Sequence, residues 1–463
     1  MEAWLKAGIE FSDRWLKHQA ETMEQPGCSA AIAHRGEIVF AKAYGHADLS
    51  TGEKLTPRHR FRIASHSKTF TAAGIMKLRE QQRLSLDDPA SAYVKGLHSS
   101  AANVTIAELL SHAGGIVRDG ADSGQFADRI PYKNRAEILA ELAKPQPVEA
   151  GTRFKYSNHG YALLGLIIEA VAREPYVIWI SREVIRAAGL GQTSADMPGP
   201  MRAPFAKGHS IVLSDRSRRV VPGDALCNAV APAAGFVSTP SDIARFFASL
   251  SPGAKHSILT SASRRAMIRR HHVDREGALP WHYGLGIMSG PEGDWEWFGH
   301  SGSFQGSLTR TLVIPSREIA ISVMSNSLDG LSGIFAESIL GIMRIFAARG
   351  APTRKTAGWT GQFWSPWGAA ELVPVAKRIL VAAPGLFAPL ANVPEIEVLL
   401  ANEGRIVKSS GYGSPGEPAR VKRIANGKIT ELWLGGAQLL PRKVLETRMA
   451  MRYPRKAKPV SRP

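Results

Sequence analysis

Within "FRIASHSKTF" a serine stands three residues before a lysine, Ser65 and Lys68, at the head of a run whose apolar spacing predicts a helix over 65–82. A serine hydroxyl is a weak nucleophile until a base takes its proton. Positions i and i+3 share one helix face, so the amine would lie beside the hydroxyl. Burial and neighbouring cations can lower a lysine's pKa far enough for it to act as that base. The start of a helix adds backbone N–H groups that favour a developing negative charge. Alone the pair says little, because a capping serine followed by a solvated lysine gives the same string. Two further stretches strengthen it. "FKYSNHGYALLG" carries Tyr156 and Asn158 on an expected loop before a helix, where the phenol can relay a proton and the amide can hold a substrate carbonyl. "FGHSGSFQGS" carries His300 and Gly302 at the end of an expected strand. A glycine there lets a substrate lie along the strand edge, and the N–H of Ser303 can complete an oxyanion hole with that of Ser65.

The elements that must position these groups form a recognisable order. "MEAWLKAGIEFSDRWLKHQAETMEQ" reads as an amphipathic helix, and "CSAAIAHRGEIVFAKAYGHADL" as a β-hairpin turning at Arg35-Gly36. Helical signals dominate from about 84 to 234: "TIAELLSHAGG" is a capped helix ending at a glycine pair, and "GYALLGLIIEAVAREP" a helix stopped before a proline. "STPSDIARFFASL" opens with helix-start residues. "WHYGLGIMSG", "DWEWFGHSG", "SLTRTLVIPS" and "EIAISVMSN" read as an antiparallel meander, closed by a helix in "GLSGIFAESILGIMRIFAARG". A sheet built from both ends of this segment, with a helical insertion between, is the expected layered domain. Beyond "APTRKTAGWTG" the texture changes to short strands, "ELVPVAKRILVAAP", "EIEVLLANEGRIVKSS", "ARVKRIANGKITELWLGG" and "AQLLPRKV", with turns at Asn-Glu-Gly and Asn-Gly. They predict a separate small antiparallel barrel or sandwich over 351–463.

The three stretches, in this order and with "FRIASHSKTFTAAGIMKLREQQRLSLDDPASAYV", "TIAELLSHAGGI", "GTRFKYSNHGYALLGLIIE", "APAAGFVSTPSDIARF" and "YGLGI" around them, resemble the serine β-lactamase and penicillin-recognising hydrolase superfamily. The likeness is to the branch that holds class C β-lactamases, D,D-peptidases, D-aminopeptidases and esterases, and it covers about residues 25 to 346. It implies an α/β (α+β) fold: a β-lactamase-like sandwich of an antiparallel sheet and helices over 1–350, with a helical insertion at about 84–234. The trailing segment resembles the lipocalin-like C-terminal domains of some relatives. The resemblance implies Ser65 as acylated nucleophile, Lys68 as base or proton shuttle, Tyr156 as base or acid and Asn158 as substrate orienter. His300 stands where many relatives carry the lysine of K-T-G, and H-x-G is the form of D-aminopeptidase-like and some esterase members. A neutral histidine offers no fixed charge for a carboxylate, so β-lactams rank third as substrates. Small amides or peptides, with a D-residue or a free N-terminus, come first and carboxylic esters second. A non-catalytic penicillin- or peptide-binding module is the reading from another class. No metal or organic cofactor is implied.

Other signals carry less. Gly299-His300-Ser301-Gly302 lacks the final glycine and following helix of an α/β-hydrolase elbow. "GYGSPG" is followed by Pro418 and a strand rather than a nucleotide-binding helix. His271, His272 and Asp274 lack a second ligand cluster. His112 reads as a structural histidine and Arg62 as an anchor of the helix start. The net charge of +18, partly from the tail "RYPRKAKPVSRP", comes without any nucleic-acid-binding signature, so no nucleic-acid partner is expected. Cys28 and Cys227 make neither a disulfide framework nor a zinc site. No window approaches the ~20 apolar residues of a membrane span, and charges at Glu2, Lys6 and Glu10 spoil a signal peptide. A cytoplasmic protein is expected, and a homo-oligomer is compatible with the sequence.

Overall fold

A computed structural model describes residues 1–197, 204–273, 281–409 and 414–454. Two compact units divide the chain, one of residues 24–336 and one of residues 1–23 with 337–463.

The first unit is built on a nine-stranded antiparallel sheet. The hairpin of β1 (Gly27–His34) and β2 (Glu37–Asp48) turns through Arg35 and Gly36 at φ 55° and 85°. Both residues are left-handed, as a two-residue turn that follows strand twist requires. A short β3 (Glu53–Lys54) edges β2. The later strands are β4 (His272–Val273), β5 (His282–Tyr283), β6 (Met288–Glu292), β7 (Trp295–Phe304), β8 (Ser307–Ile314) and β9 (Ile319–Ser325). The sheet order is β3-β2-β1-β9-β8-β7-β6-β5-β4, so the last strand of the meander pairs with the first of the hairpin, Ile32 opposite Ile321. The sheet is thus made from both ends of the unit. The run 281–290 is two strands rather than one, because Gly284 to Ile287 leave the ladder and Gly286 takes φ 72°.

Helix α1 spans Ala3–Thr22, α2 Ser67–Glu80, α3 Asn158–Ala172 and α4 Pro240–Ser249. The capped helix at Thr105 is short, Ile106–Leu110 with a Thr105/Glu108 capping box. It ends before the glycine pair, and His112 takes the left-handed conformation that glycine usually fills. Under α2 sits a stack of rings: Phe70 lies 3.9 Å from Phe246 of α4 and 4.7 Å from Phe236 between ring centroids. All three are buried, in the core shared by α2, α3, α4 and the sheet.

Helix α5 (Ser332–Arg349) carries the chain across 336/337. In the second unit eight strands follow one another as a meander: β10 (Gly361–Ser365), β11 (Gly368–Val375), β12 (Arg378–Ala382), β13 (Glu395–Leu400), β14 (Glu403–Lys408), β15 (Pro418–Arg423), β16 (Ile429–Leu434) and β17 (Ala437–Leu439). Trp364 and Leu440 exchange backbone hydrogen bonds of 2.7 and 2.9 Å, which nearly closes the sheet into a barrel and shields its edges. Strand β10 was not expected from the sequence, and "PRKV" starts a helix, α6 (Arg442–Arg452), behind Pro441 rather than continuing a strand. Helix α1 belongs to this unit. Its Arg14 pairs with the buried Glu371 at 2.6 Å, and Gln19 Nε2 donates to Pro384 O at 2.7 Å. Phe11 meets Phe346 of α5 at 6.5 Å.

The ring stack predicts a stability effect. Phe246→Ala should cost about 3–5 kcal/mol, the range for a buried phenylalanine truncated without collapse. Urea unfolding followed by circular dichroism measures it, and a loss below about 1 kcal/mol would mean the stack is not what supports α2.

Candidate active site

Ser65 lies not in α2 but in a 3-10 turn, Ala64–His66, that leads into it. Its hydroxyl caps nothing: Tyr156 OH donates to Ser65 Oγ at 2.7 Å, and Lys68 Nζ stands 3.3 Å away. The turn is held from both sides. On one, the ladder Phe61–Ser238 and Arg62–Val237 precedes it, and Phe236 N–H donates to Ser67 Oγ at 3.0 Å. On the other, alternate residues of β8 point hydroxyls at it, since every second side chain of a strand shares a face. Ser307 Oγ donates to Arg62 O at 2.9 Å. Thr309 and Thr311 bracket the His66 ring at 3.1 and 2.9 Å. Burial pushes His66 down to about 3, so it is a neutral strut. Ala64, just before Ser65, is held at φ 49°, a conformation that costs a non-glycine residue about 1 kcal/mol or more.

Gly302 explains its own identity. A Cβ there would lie 2.3 Å from Ile63 O and 2.5 Å from Thr309 Oγ1, so only glycine lets β7 pass this close to the turn that carries Ser65. Gly286 serves the other end of "YGLGI": its carbonyl accepts from Thr69 Oγ1 at 2.7 Å, and a Cβ would lie 2.5 Å from that of Ala72.

Lys68 is fully buried. Its Nζ donates to Asn158 Oδ1 at 2.7 Å and Ala233 O at 2.9 Å, both uncharged acceptors. Burial drives its pKa well below the ordinary lysine value, opposed by Asp119 and reinforced by Arg118. Tyr156 moves the other way: burial raises its phenol above the usual range, so at neutral pH it carries its proton. Asn158 is the first residue of α3 rather than part of the preceding loop, with Ser157 as N-cap. Its Nδ2 donates to Asp119 Oδ1 at 2.6 Å.

His300 is buried with both ring nitrogens engaged. Tyr283 OH meets Nε2 at 3.0 Å and Nδ1 donates to Ser301 O at 2.7 Å. Burial and His66 hold its pKa well below 6.5, so the ring is neutral. His112 is the expected structural histidine: its ring packs 4.2 Å from that of Tyr156, and its Nδ1 accepts from Ser157 N–H. Arg62 anchors a different element from the one expected, reaching Ala225 O and Cys227 Sγ at 2.9 Å each while lying over the Phe304 ring.

Ser65, Tyr156, Asn158, His300, Gly302 and Ser303 all line one cleft of about 790 Å³, with Lys68 beneath its floor. The size suits a small molecule or peptide segment. Asp119, Arg118, His66 and the β8 hydroxyls were not singled out in the sequence. The S-x-T-x-T alternation of 307–311 was the visible trace of the last group. β7 runs on into β8, so no nucleophile elbow forms at Ser301. Asp274 and residues 411–413 of the glycine-rich string lie outside the described residues. Among the described residues there is no cluster of metal-ligating side chains, and no helix is long and apolar enough to cross a membrane.

This architecture agrees with what comparison finds. The family model described as Beta-lactamase matches residues 13–336, and the chain belongs to that family. Protein flp of Staphylococcus aureus (strain N315) is 30% identical over 189 residues, 39% of this chain and 37% of the relative, so the match spans well under half the relative's length. The octameric penicillin-binding protein homologue from Pyrococcus abyssi superposes with TM-score 0.64 at 22% identity over 94% of this chain and 100% of that one. The D-amino acid amidase of Ochrobactrum anthropi SV3, complexed with D-phenylalanine, gives 0.59 at 22% over 74% and 99%.

Asp119 favours the charged form of Lys68. Asp119→Asn should therefore lower the lysine pKa further, and the acid limb of Ser65 labelling by a fluorophosphonate should move to lower pH. A limb that moves to higher pH would contradict the electrostatics described.

Proposed function

We propose that the chain is a serine hydrolase acting through an acyl-enzyme on Ser65, with small amides or peptides of the D-aminopeptidase type as the first substrate class. The observation that carries this reading is the contact of Ser65 Oγ with both Lys68 Nζ and Tyr156 OH, at 3.3 and 2.7 Å. A neutral lysine has two N–H groups and one lone pair. With the N–H groups given to Asn158 and Ala233, the lone pair faces Ser65. Ser65 then passes its proton to Lys68 as Oγ attacks the carbonyl. The N–H groups of Ser65 and Ser303 hold the oxyanion. The C–N bond breaks, the leaving amine takes a proton from Tyr156, and Lys68 gives the proton it took from Ser65 to the phenolate. Water attacks the ester, the same pair relays its proton, and the acid leaves with Ser65 regenerated. The opposed shifts of Lys68 and Tyr156 favour the lysine as the resting base and the phenol as the donor.

The amidase relative supports the amide class by its bound D-phenylalanine. Carboxylic esters are the second reading, favoured by the rings of Phe154, Trp281 and Tyr283 along the cleft, which suit an apolar acyl group. A β-lactam comes third, since His300 is neutral. A purely binding role would not need a buried lysine of depressed pKa beside a serine.

The test pairs Ser65→Ala with the wild type. Fluorophosphonate labelling and turnover of D-alanine p-nitroanilide or p-nitrophenyl acetate should both vanish, a loss of about 10³-fold or more. Labelling or turnover that survives the substitution places the chemistry elsewhere.

A further inference from the structure

We propose that Arg118 is the group that selects the substrate's charge, taking a carboxylate. The inference rests on the hydrolase reading and deepens it. His300 is buried and neutral, so its ring offers an anion no charge. Across the cleft, Arg118 also lines the wall, and its guanidinium lies 5.5 Å from the Tyr156 ring centroid, the ring whose hydroxyl touches Ser65. Its side chain is 66% exposed, so it meets solvent and ligand alike.

The guanidinium is also oriented. Its Nε pairs with Asp119 Oδ2 at 3.1 Å, which leaves the end of the guanidinium, the fork of its two terminal amino groups, to other partners. Asp119 is buried behind it and commits its other oxygen to Asn158. The backbone is fixed too, since Arg118 O accepts from the N–H groups of Asn158 and His159 at 3.0 and 3.2 Å. A planar fork on a fixed base, beside the nucleophile, is built to receive a carboxylate. Among the described residues, the cleft lining holds no aspartate or glutamate to receive an ammonium group. A substrate with a carboxylate near the scissile bond therefore fits better than one with a free N-terminus, which narrows the D-aminopeptidase-type expectation.

The experiment holds the reaction constant and changes only charge. Wild type, Arg118→Gln and Arg118→Lys are assayed on p-nitrophenyl butyrate (neutral), mono-p-nitrophenyl succinate (carboxylate in the acyl part), carboxy-nitrophenyl butyrate (carboxylate in the leaving group) and p-nitrophenyl β-alaninate (ammonium). In the wild type one of the carboxylate esters should exceed butyrate by about tenfold in kcat/KM, the lower end for a charge-assisted contact because Arg118 is exposed. The ammonium ester should be the slowest. The preference should shrink as salt is raised. Arg118→Gln should abolish it, and Arg118→Lys, which keeps the charge, should restore part. A wild type that hydrolyses butyrate without preference, or a preference that persists in Arg118→Gln, overturns this inference and leaves the hydrolase reading standing. A wild type that is neither labelled at Ser65 nor active on any ester removes both.

Discussion

The first unit is organised around one unfavourable placement, an amine taken fully out of water with no carboxylate bonded to it. Burying an ammonium costs several kcal/mol even after relaxation, and the loss is avoided if the group gives up its proton. The acceptors supplied to Lys68 are the Asn158 amide oxygen and the Ala233 carbonyl, which satisfy N–H groups without compensating a charge. The nearest anion, Asp119, reaches the lysine only through Asn158. Burial therefore outweighs its pull, and the amine's pKa stands well below the ordinary lysine value. The same two bonds tie α2 to the start of α3 and to the 231–234 segment, so the chemistry and the packing share their contacts.

Ser65 needs a second constraint, because a serine in a strained turn would relax if its surroundings allowed. Ala64 is kept left-handed by a grip from two directions: the 236–238 segment on one side, and the hydroxyls of Ser307, Thr309 and Thr311 on the other. His66 fills the space between them as a neutral bridge. Gly302 allows β7 to approach the turn, which puts the strand edge and Ser65 on one cleft. These contacts are polar, buried and mutually satisfied, the condition under which a polar network fixes one geometry.

Some of this was legible in the residues alone. Ser65 and Lys68 are three apart on a continuous turn, so their proximity follows from local geometry. The hairpin at Arg35-Gly36, the meander and the capped helices announce themselves by period and turn chemistry. Asp119 and Arg118 were invisible because nothing local distinguishes a loop Arg-Asp pair from a solvated one. Their meaning comes from Asn158, some forty positions on. His66 meets Thr309 and Thr311 only after the sheet has assembled. Helix α1 read correctly as amphipathic, yet its pattern could not say that its partner would be the unit at the far end of the chain. Strand β10 is short and aromatic, with no clear alternation, and gained its place only by pairing with β11 and Leu440.

The central claim is that Lys68 is a neutral amine at physiological pH, and its titration can be observed directly. With lysine labelled at Cε, the Lys68 resonance is assigned by its disappearance in Lys68→Arg and followed across pH in the intact protein. The account predicts that it titrates far below the other lysines, with Asp119→Asn moving it lower still. A Lys68 signal that stays in the ammonium form up to the range of the solvent-exposed lysines would contradict it.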